Sequence, residues 1–404
     1  MLTPAIALYK NAYSGLSRST WWLSLVMLIN RSGTMVVPFM TMYMTQHIGV
    51  GIGKAAFVMS LFGAGSVIGA LLGGKITDKK GYYYVQLFTL SGGGVMFMVL
   101  GQMESYPAIC ITCFFLSMVN EAFRPANAVA IAHYSSEENR TRSYSLNRLA
   151  VNLGWAAGAA LGGFIAAHNY QLLFWVDGFT NIAAAVLLYF VLAPSKNTAT
   201  LQRVIPKSEP AKSVYKDHTY LFFVGLQVLF AICFFQMFTI LPVYYKTQLH
   251  LSETFIGITM AFNGLLIAMT EMVIVFRLEG RRPHLHYISI GVLLVGISFA
   301  MLTAGFVNAA VLALSSMLVI TIGEMLSMPF MNSYWIARTD QSNRGQYAGL
   351  FTMAWSMAQV VGPLTGGQIA ENFGFRVLWW LIAGTCFILS VIYLWLGKKN
   401  QVGA

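Results

Sequence analysis

Residues 55–74 read AAFVMSLFGAGSVIGALLGG, twenty positions without a charge, followed by Lys75 and then Asp78-Lys79-Lys80-Gly81. Twenty residues of α-helix rise about 30 Å, the thickness of a bilayer's hydrocarbon core. Runs of this kind recur along the chain. They predict spans at roughly 21–46, 53–76, 83–102, 106–133, 143–167, 171–193, 218–247, 254–277, 286–306, 309–335, 345–370 and 374–397. The 404 residues are 57% hydrophobic and only 10% charged, where a soluble domain carries about 25%. Most of the surface must therefore face something other than water. Strand-type alternation is absent, which argues against an outer-membrane barrel. Lipid-facing backbone must satisfy its own hydrogen bonds, so continuous helices remain as the spanning solution.

The net charge of +11 suggests a nucleic-acid binder until its placement is read. Lysines and arginines sit in short connections between apolar runs, where they set orientation in the membrane. Both ends of an even number of spans lie on one side. That side carries 20 of the 25 cations, including Lys79, Lys80, Arg140, Arg281 and Arg282. The other side carries 3, Lys54, Lys246 and Arg376, while Arg31 and Arg124 fall inside spans. The expectation is a multi-pass protein of the cytoplasmic (inner) membrane with both termini cytoplasmic, and no nucleic acid among its partners. No cleavable signal peptide is expected, because the first apolar run is long enough to span. Cys110 and Cys113 form a C-x-x-C inside an apolar run without a second ligand pair, so packing is expected there and no metal.

The longest connection, 194–217, is polar and carries Pro194, Pro206 and Pro210. It reads as a cytoplasmic linker between two six-helix bundles, 1–193 and 218–404. The halves repeat at an offset near 204 residues. Pro38 matches Pro242, Pro125 matches Pro329, and Gly158, Gly162 and Gly163 match Gly362, Gly366 and Gly367. Glu121 and Glu324 align within one residue. Equal offsets imply a parallel repeat about an axis along the membrane normal, with a substrate site expected between the halves. The fold class expected is an all-α membrane protein of twelve transmembrane helices in two parallel pseudo-repeated bundles.

At this point the chain resembles the major facilitator superfamily over essentially its whole length. The loop Gly74-Lys-Ile-Thr-Asp78-Lys79-Lys-Gly81-Tyr-Tyr is similar to that family's G-x-x-x-D-[RK]-x-G-[RK]-[RK], and departs from it at Tyr82 and Tyr83. The resemblance implies a gating role for Gly74, Asp78, Lys79 and Gly81; a tight charged turn is the plainer alternative. Span 5, from Gly154 to Gly163, resembles the G-x-x-x-G-P-x-x-G-G signature of drug/proton antiporters, with Ala159 in place of proline. Span 11 has Ala358 for the first glycine but keeps Gly362-Pro363 and Gly366-Gly367. Gly158, Gly162, Gly362 and Pro363 would then belong to the gating machinery, although small residues four apart also serve plain close packing. Gly323-Glu324 before Pro329, and Leu241-Pro242, resemble proton-driven multidrug exporters of the lactococcal type.

Ionisable residues inside spans are costly and functional by default. Six are found: Arg31, Glu121, Arg124, Asp177, Glu271 and Glu324. Glu121 and Arg124, three apart, share a helix face. A proton-coupled carrier needs a carboxylate whose proton affinity responds to solvent exclusion and to arriving cations. Glu324 fits best because no arginine or lysine lies within a turn of it; Glu121 and Glu271 are further proton-coupling candidates. Arg31, Arg124, Gln227, Gln236, Tyr244 and Trp355 are candidates for binding solute. Asp177 reads as solvated near the outer end of span 6.

No catalytic constellation and no Walker-type phosphate loop is present, which argues against an enzyme. The expected function is proton-coupled secondary transport by alternating access, with no cofactor and a proton gradient as the drive. Export of lipophilic or cationic small molecules is the first reading. Symport of small peptides or other zwitterionic or anionic solutes is the alternative. The partners expected are a small-molecule solute, protons and the lipid bilayer, around a monomeric protein.

Overall fold

A computed structural model describes residues 15–136, 140–192, 214–278, 280–305, 308–339 and 344–402. Most of the 194–217 segment lies outside them, as does the side chain of Asp78. Among the described residues every regular element is helical. In chain order they are α1 (Arg18–Ser32), α2 (Val36–Met42), a π-helical turn (Tyr43–His47), α3 (Ile52–Lys80), α4 (Tyr82–Leu100), α5 (Tyr106–Glu121), α6 (Phe123–Tyr134), α7 (Arg140–His168) and α8 (Tyr170–Val191). After a 3₁₀ turn (Val214–Lys216) come α9 (His218–Thr239), α10 (Leu241–Thr247), α11 (Glu253–Leu278), α12 (His284–Met301), α13 (Ala309–Ala337), α14 (Arg344–Phe373) and α15 (Phe375–Val402). Eleven described segments are long and apolar enough to cross a membrane. The twelfth expected span is α14, whose 30 residues suffice in length while its glycines, glutamines and Glu371 dilute its hydropathy.

Proline divides three of the spans read from sequence. A helical proline lacks an N–H and crowds the carbonyl four residues back. Pro38 acts on Thr34, where α1 gives way to α2; Pro125 acts on Glu121, where α5 ends. Pro242 acts on Phe238, one residue before the end of α9. Pro329 and Pro363 stand inside unbroken α13 and α14.

The chain forms two compact units, Met1–Val37 with Ala64–Leu201, and Pro38–Gly63 with Gln202–Ala404. Each repeats the same neighbours. In the first, α7 packs on α1, and α4 packs on α8 and α5; in the second, α14 packs on α9, and α12 packs on α15 and α13. The core of the first unit gathers Leu23, Val26, Leu90, Phe123 and Leu188 together with Tyr82 and Tyr83. Those tyrosines, which replace basic residues of the resembling loop motif, are buried. Gly81 permits the turn before them with φ of +84°, a conformation open to glycine at no steric cost.

The segment Pro38–Gly63 clusters with the C-terminal helices because the start of α3 lies on α14. The Gly53 N–H donates to Glu371 Oε2 at 2.9 Å. A Cβ on Gly63 would stand 2.6 Å from the Gln359 carbonyl oxygen, so only glycine allows this approach. Large apolar side chains such as Leu71, Phe88, Phe190 and Met269 are exposed on the outer helix faces. Patches of that extent suit hydrocarbon and not water.

Candidate functional site

In the first unit the break after α1 frees backbone amides that must find acceptors. Asp177 of α8 supplies them: both its oxygens accept from Met35 N at 3.0 Å, and Oδ2 accepts from Val36 N at 2.8 Å. Asp177 is fully buried. The expectation of a solvated group at the interface is corrected here, because sequence depth did not show the broken helix opposite it. Asn30 Nδ2 donates to Asn181 Oδ1 at 2.8 Å, and Asn181 Nδ2 to the Asp177 carbonyl at 2.8 Å, which extends the polar seam between α1 and α8.

Arg31, in the last turn of α1, lies within electrostatic reach of Glu121 and Arg124. Glu121 is buried, and its Oε2 stands 3.4 Å from Arg124 Nη2. The Arg124 side chain is 66% exposed, so this pair is only half withdrawn from its surroundings. Arg31 Nε is buried without a hydrogen-bond partner. Two guanidinium groups thus act on one carboxylate, of which Arg124 alone pairs with it, leaving an excess positive charge. Helix α7 comes close to α1 at this depth through glycine. A Cβ on Gly154 would stand 2.7 Å from the Arg31 Cβ, and one on Gly158 3.0 Å from the Ser32 carbonyl. Gly162 is also buried on α7. One turn along from Glu121, Gly74 of α3 borders Pro125, and Lys79 is exposed.

In the second unit Glu324 is half-buried on α13, and Asn263 of α11 donates to its Oε2 at 3.1 Å. The same nitrogen donates to Thr321 Oγ1 at 2.9 Å. Gly323 presses α13 onto α12, where its Cβ would stand 2.7 Å from the Gly291 carbonyl; Glu324 bonds on the α11 side. Glu271 is buried on α11 eight residues beyond Asn263, about 12 Å along the axis. Asn263 gave no signal in sequence, since a lone asparagine in an apolar run does not reveal which helix it faces.

The two glutamines serve the contact of α9 with α14. Gln227 Nε2 donates to the Phe351 carbonyl at 3.2 Å, and Gln236 Nε2 to the Gly362 carbonyl at 2.7 Å. Gln236 fills the space that a side chain on Gly366 would occupy, and Pro363 is buried beside it. Tyr244 donates to the Leu302 carbonyl at 2.7 Å and meets the rings of Phe375 and Trp379. Trp355 stands edge-on to Phe230, Phe234 and Phe235 at 6.1 to 6.4 Å, an aromatic cluster in which Trp355 and Phe235 are half-buried.

Where the chain enters α9, Asp217 caps the helix by accepting from Tyr220 N at 3.0 Å. It also holds Arg338 through bonds of 2.9 to 3.1 Å and accepts from the Tyr347 hydroxyl at 3.0 Å. Burial alone would raise this carboxyl, but the Tyr220 amide, the Arg338 guanidinium and the Tyr347 hydroxyl hold it below the usual carboxylate range. Sequence reading missed this cluster, because Arg338 and Tyr347 lie 121 and 130 residues from Asp217.

A sequence profile described as Major Facilitator Superfamily matches residues 22–357 and 335–403. The chain is 23% identical over 403 residues to a "Na(+), Li(+), K(+)/H(+) antiporter" of Planococcus maritimus, covering 91% of this chain and 93% of that one. It is 20% identical over 351 residues to the "Multidrug resistance protein MdtH" of Citrobacter koseri, covering 86% and 84%. Among solved structures it is similar to a POT family transporter in complex with 5-aminolevulinic acid, with a TM-score of 0.79 at 15% identity over 96% of this chain and 97% of that one. The last likeness speaks for the fold alone.

Proposed function

The chain belongs to the major facilitator superfamily, a family of membrane transporters and not of enzymes, and we propose that within it this protein is a proton-coupled exporter of lipophilic or cationic small molecules. The observation that carries the reading is Glu324, a carboxylate in the middle of a membrane-spanning helix with a neutral amide donor from Asn263. A shared acid exchanges a proton for a cation only if both can reach it, and an amide donor tolerates either occupant. The names of the antiporter and of the multidrug resistance protein support the same reading. Glu271 and Glu121 are secondary proton groups in this scheme. Trp355 and its aromatic neighbours supply adaptable apolar contact.

The proposal includes a cytoplasmic-membrane protein, monomeric, with both termini and the 194–217 linker cytoplasmic, as the 20 to 3 distribution of cations supports. The Gly74–Gly81 segment, the last turns of α3 and the glycine after it, acts with the glycines of α7 and α14 as gating elements. No cofactor is required.

The test is transport in proteoliposomes under an imposed pH gradient. Tetraphenylphosphonium should move against the proton flow, and Glu324→Gln should abolish its coupling to the gradient. Coupled transport that survives this substitution refutes the assignment. A second reading, symport of a zwitterionic or anionic solute, is favoured by the positive excess of Arg31 and Arg124 over Glu121. Uptake of a dipeptide with the proton flow would decide for it.

A further inference from the structure

The hydrogen bonds around Asn263 have only one consistent direction. Thr321 Oγ1 donates to the Met317 carbonyl at 2.6 Å, since a carbonyl can only accept. Its single proton is thereby committed, and the same oxygen must accept from Asn263 at 2.9 Å. The amide nitrogen of Asn263 therefore faces Thr321, with its second hydrogen directed to Glu324 Oε2 at 3.1 Å. Asn263 is buried, so no solvent competes for its amide hydrogens and the bond to Thr321 fixes which way the amide faces.

We propose that Asn263 is a positioning residue for proton exchange at Glu324: it pins Oε2 as an acceptor, and the exchanging proton is carried on Oε1. This rests on Glu324 being the coupling acid. When the group is neutral, Oε2 is the carbonyl oxygen and still accepts from the amide. When it is ionised, the same bond persists and strengthens. Proton gain and loss then occur at one defined atom while the carboxyl plane stays fixed by α11.

Other titratable groups on the helices packed against α13 are few. On α11 they are Glu271 and, toward the ends, Glu253 and Arg277. On α12 they are His284, His286 and Tyr287 in the first turn, of which His284 and Tyr287 lie against Phe330. On α14 they are Arg344, Tyr347 and Glu371 near the ends. Glu271 stands nearest to Asn263 along α11, and it is kept in every variant below.

The experiment is the pH profile of gradient-driven tetraphenylphosphonium transport by the full-length protein in proteoliposomes, with infrared spectra of the same samples. A bond that favours the charged form holds the titration down, so Asn263→Ala should raise the midpoint by about one pH unit. Asn263→Asp, which adds a like charge, should raise it further. Thr321→Val frees the amide to turn over and should give a smaller rise. The neutral carboxyl band, identified by its loss in Glu324→Gln, should move to higher wavenumber in Asn263→Ala as its carbonyl loses the donor. An unmoved midpoint and band in Asn263→Ala overturn the proposal alone, provided Glu324→Gln abolishes coupling. Coupling that survives Glu324→Gln overturns the underlying reading and the proposal with it. Should Asn263→Ala fail to fold, the Thr321→Val profile decides: an unmoved midpoint overturns the proposal.

Discussion

Replacing Asp177 by alanine removes the acceptor for two amides in the broken part of the first span. Met35 N loses both oxygens at 3.0 Å, and Val36 N loses its bond of 2.8 Å. Both residues are buried, so the protein offers the freed N–H groups no solvent. An orphaned buried donor costs about 1–3 kcal/mol, and two of them about 2–6 kcal/mol, less whatever water recovers in the vacated space. The cost falls on the local opening of residues 33–40 and not on the whole chain. At about 1.4 kcal/mol per tenfold, amide protection there should drop by roughly thirtyfold or more. Hydrogen exchange of the purified protein in nanodiscs, read by mass spectrometry on a peptide spanning 30–40, measures this directly. A peptide from α4 serves as the internal control and should not change. Asp177→Asn keeps the shape and one acceptor oxygen, so its loss should be smaller. Unchanged protection at Met35 and Val36 in a folded Asp177→Ala protein would refute the claim that this carboxylate secures the break.

Gly154→Leu should lower thermal stability by about 1–3 kcal/mol or more, because its Cβ alone would stand 2.7 Å from the Arg31 Cβ and 2.9 Å from the Leu28 carbonyl. Gly225→Leu, where a Cβ meets nothing within 4 Å, is the matched control, and equal losses would disprove a packing role. Asp217 makes acid stability testable. Its carboxyl is held low, so its contribution is complete above the ordinary carboxylate range near about pH 4 and is lost as pH falls through the depressed value. The melting temperature should therefore drop more steeply below about pH 5 in the wild type than in Asp217→Asn; parallel curves would contradict this. The effect is modest, since the Asp217 and Arg338 side chains are 18% and 28% exposed.

Much of the architecture was legible because it depends on length and period. A run such as 55–74 must be helical wherever it sits in a bilayer, and the 204-residue repeat anticipates the matched neighbours α1 with α7 and α9 with α14. The same prolines that marked the repeat also divide three of the spans, an effect that follows from a missing N–H and a crowded carbonyl. The charged residues in spans were legible as a set, since lipid tolerates few of them. Their partners were not. Glu121 and Arg124 were expected on one helix face, and they stand 3.4 Å apart, with Arg31 of α1 within electrostatic reach of both. Gln227 and Gln236 were read as candidates for solute contact, but their donors meet backbone carbonyls of α14. A helix apolar all round gives no periodic clue to which neighbour each face meets.

The sequence by itself determined a multi-pass helical membrane protein with an internal repeat, because apolar length and proline position act locally. Only the tertiary structure decided that Asp177 secures the broken first span, that Pro38–Gly63 clusters with the C-terminal helices, and that Asn263 is the donor to Glu324. Each of these depends on which helix faces which. That choice is made by the fit of glycines, side-chain amides and freed backbone groups between elements far apart in the chain.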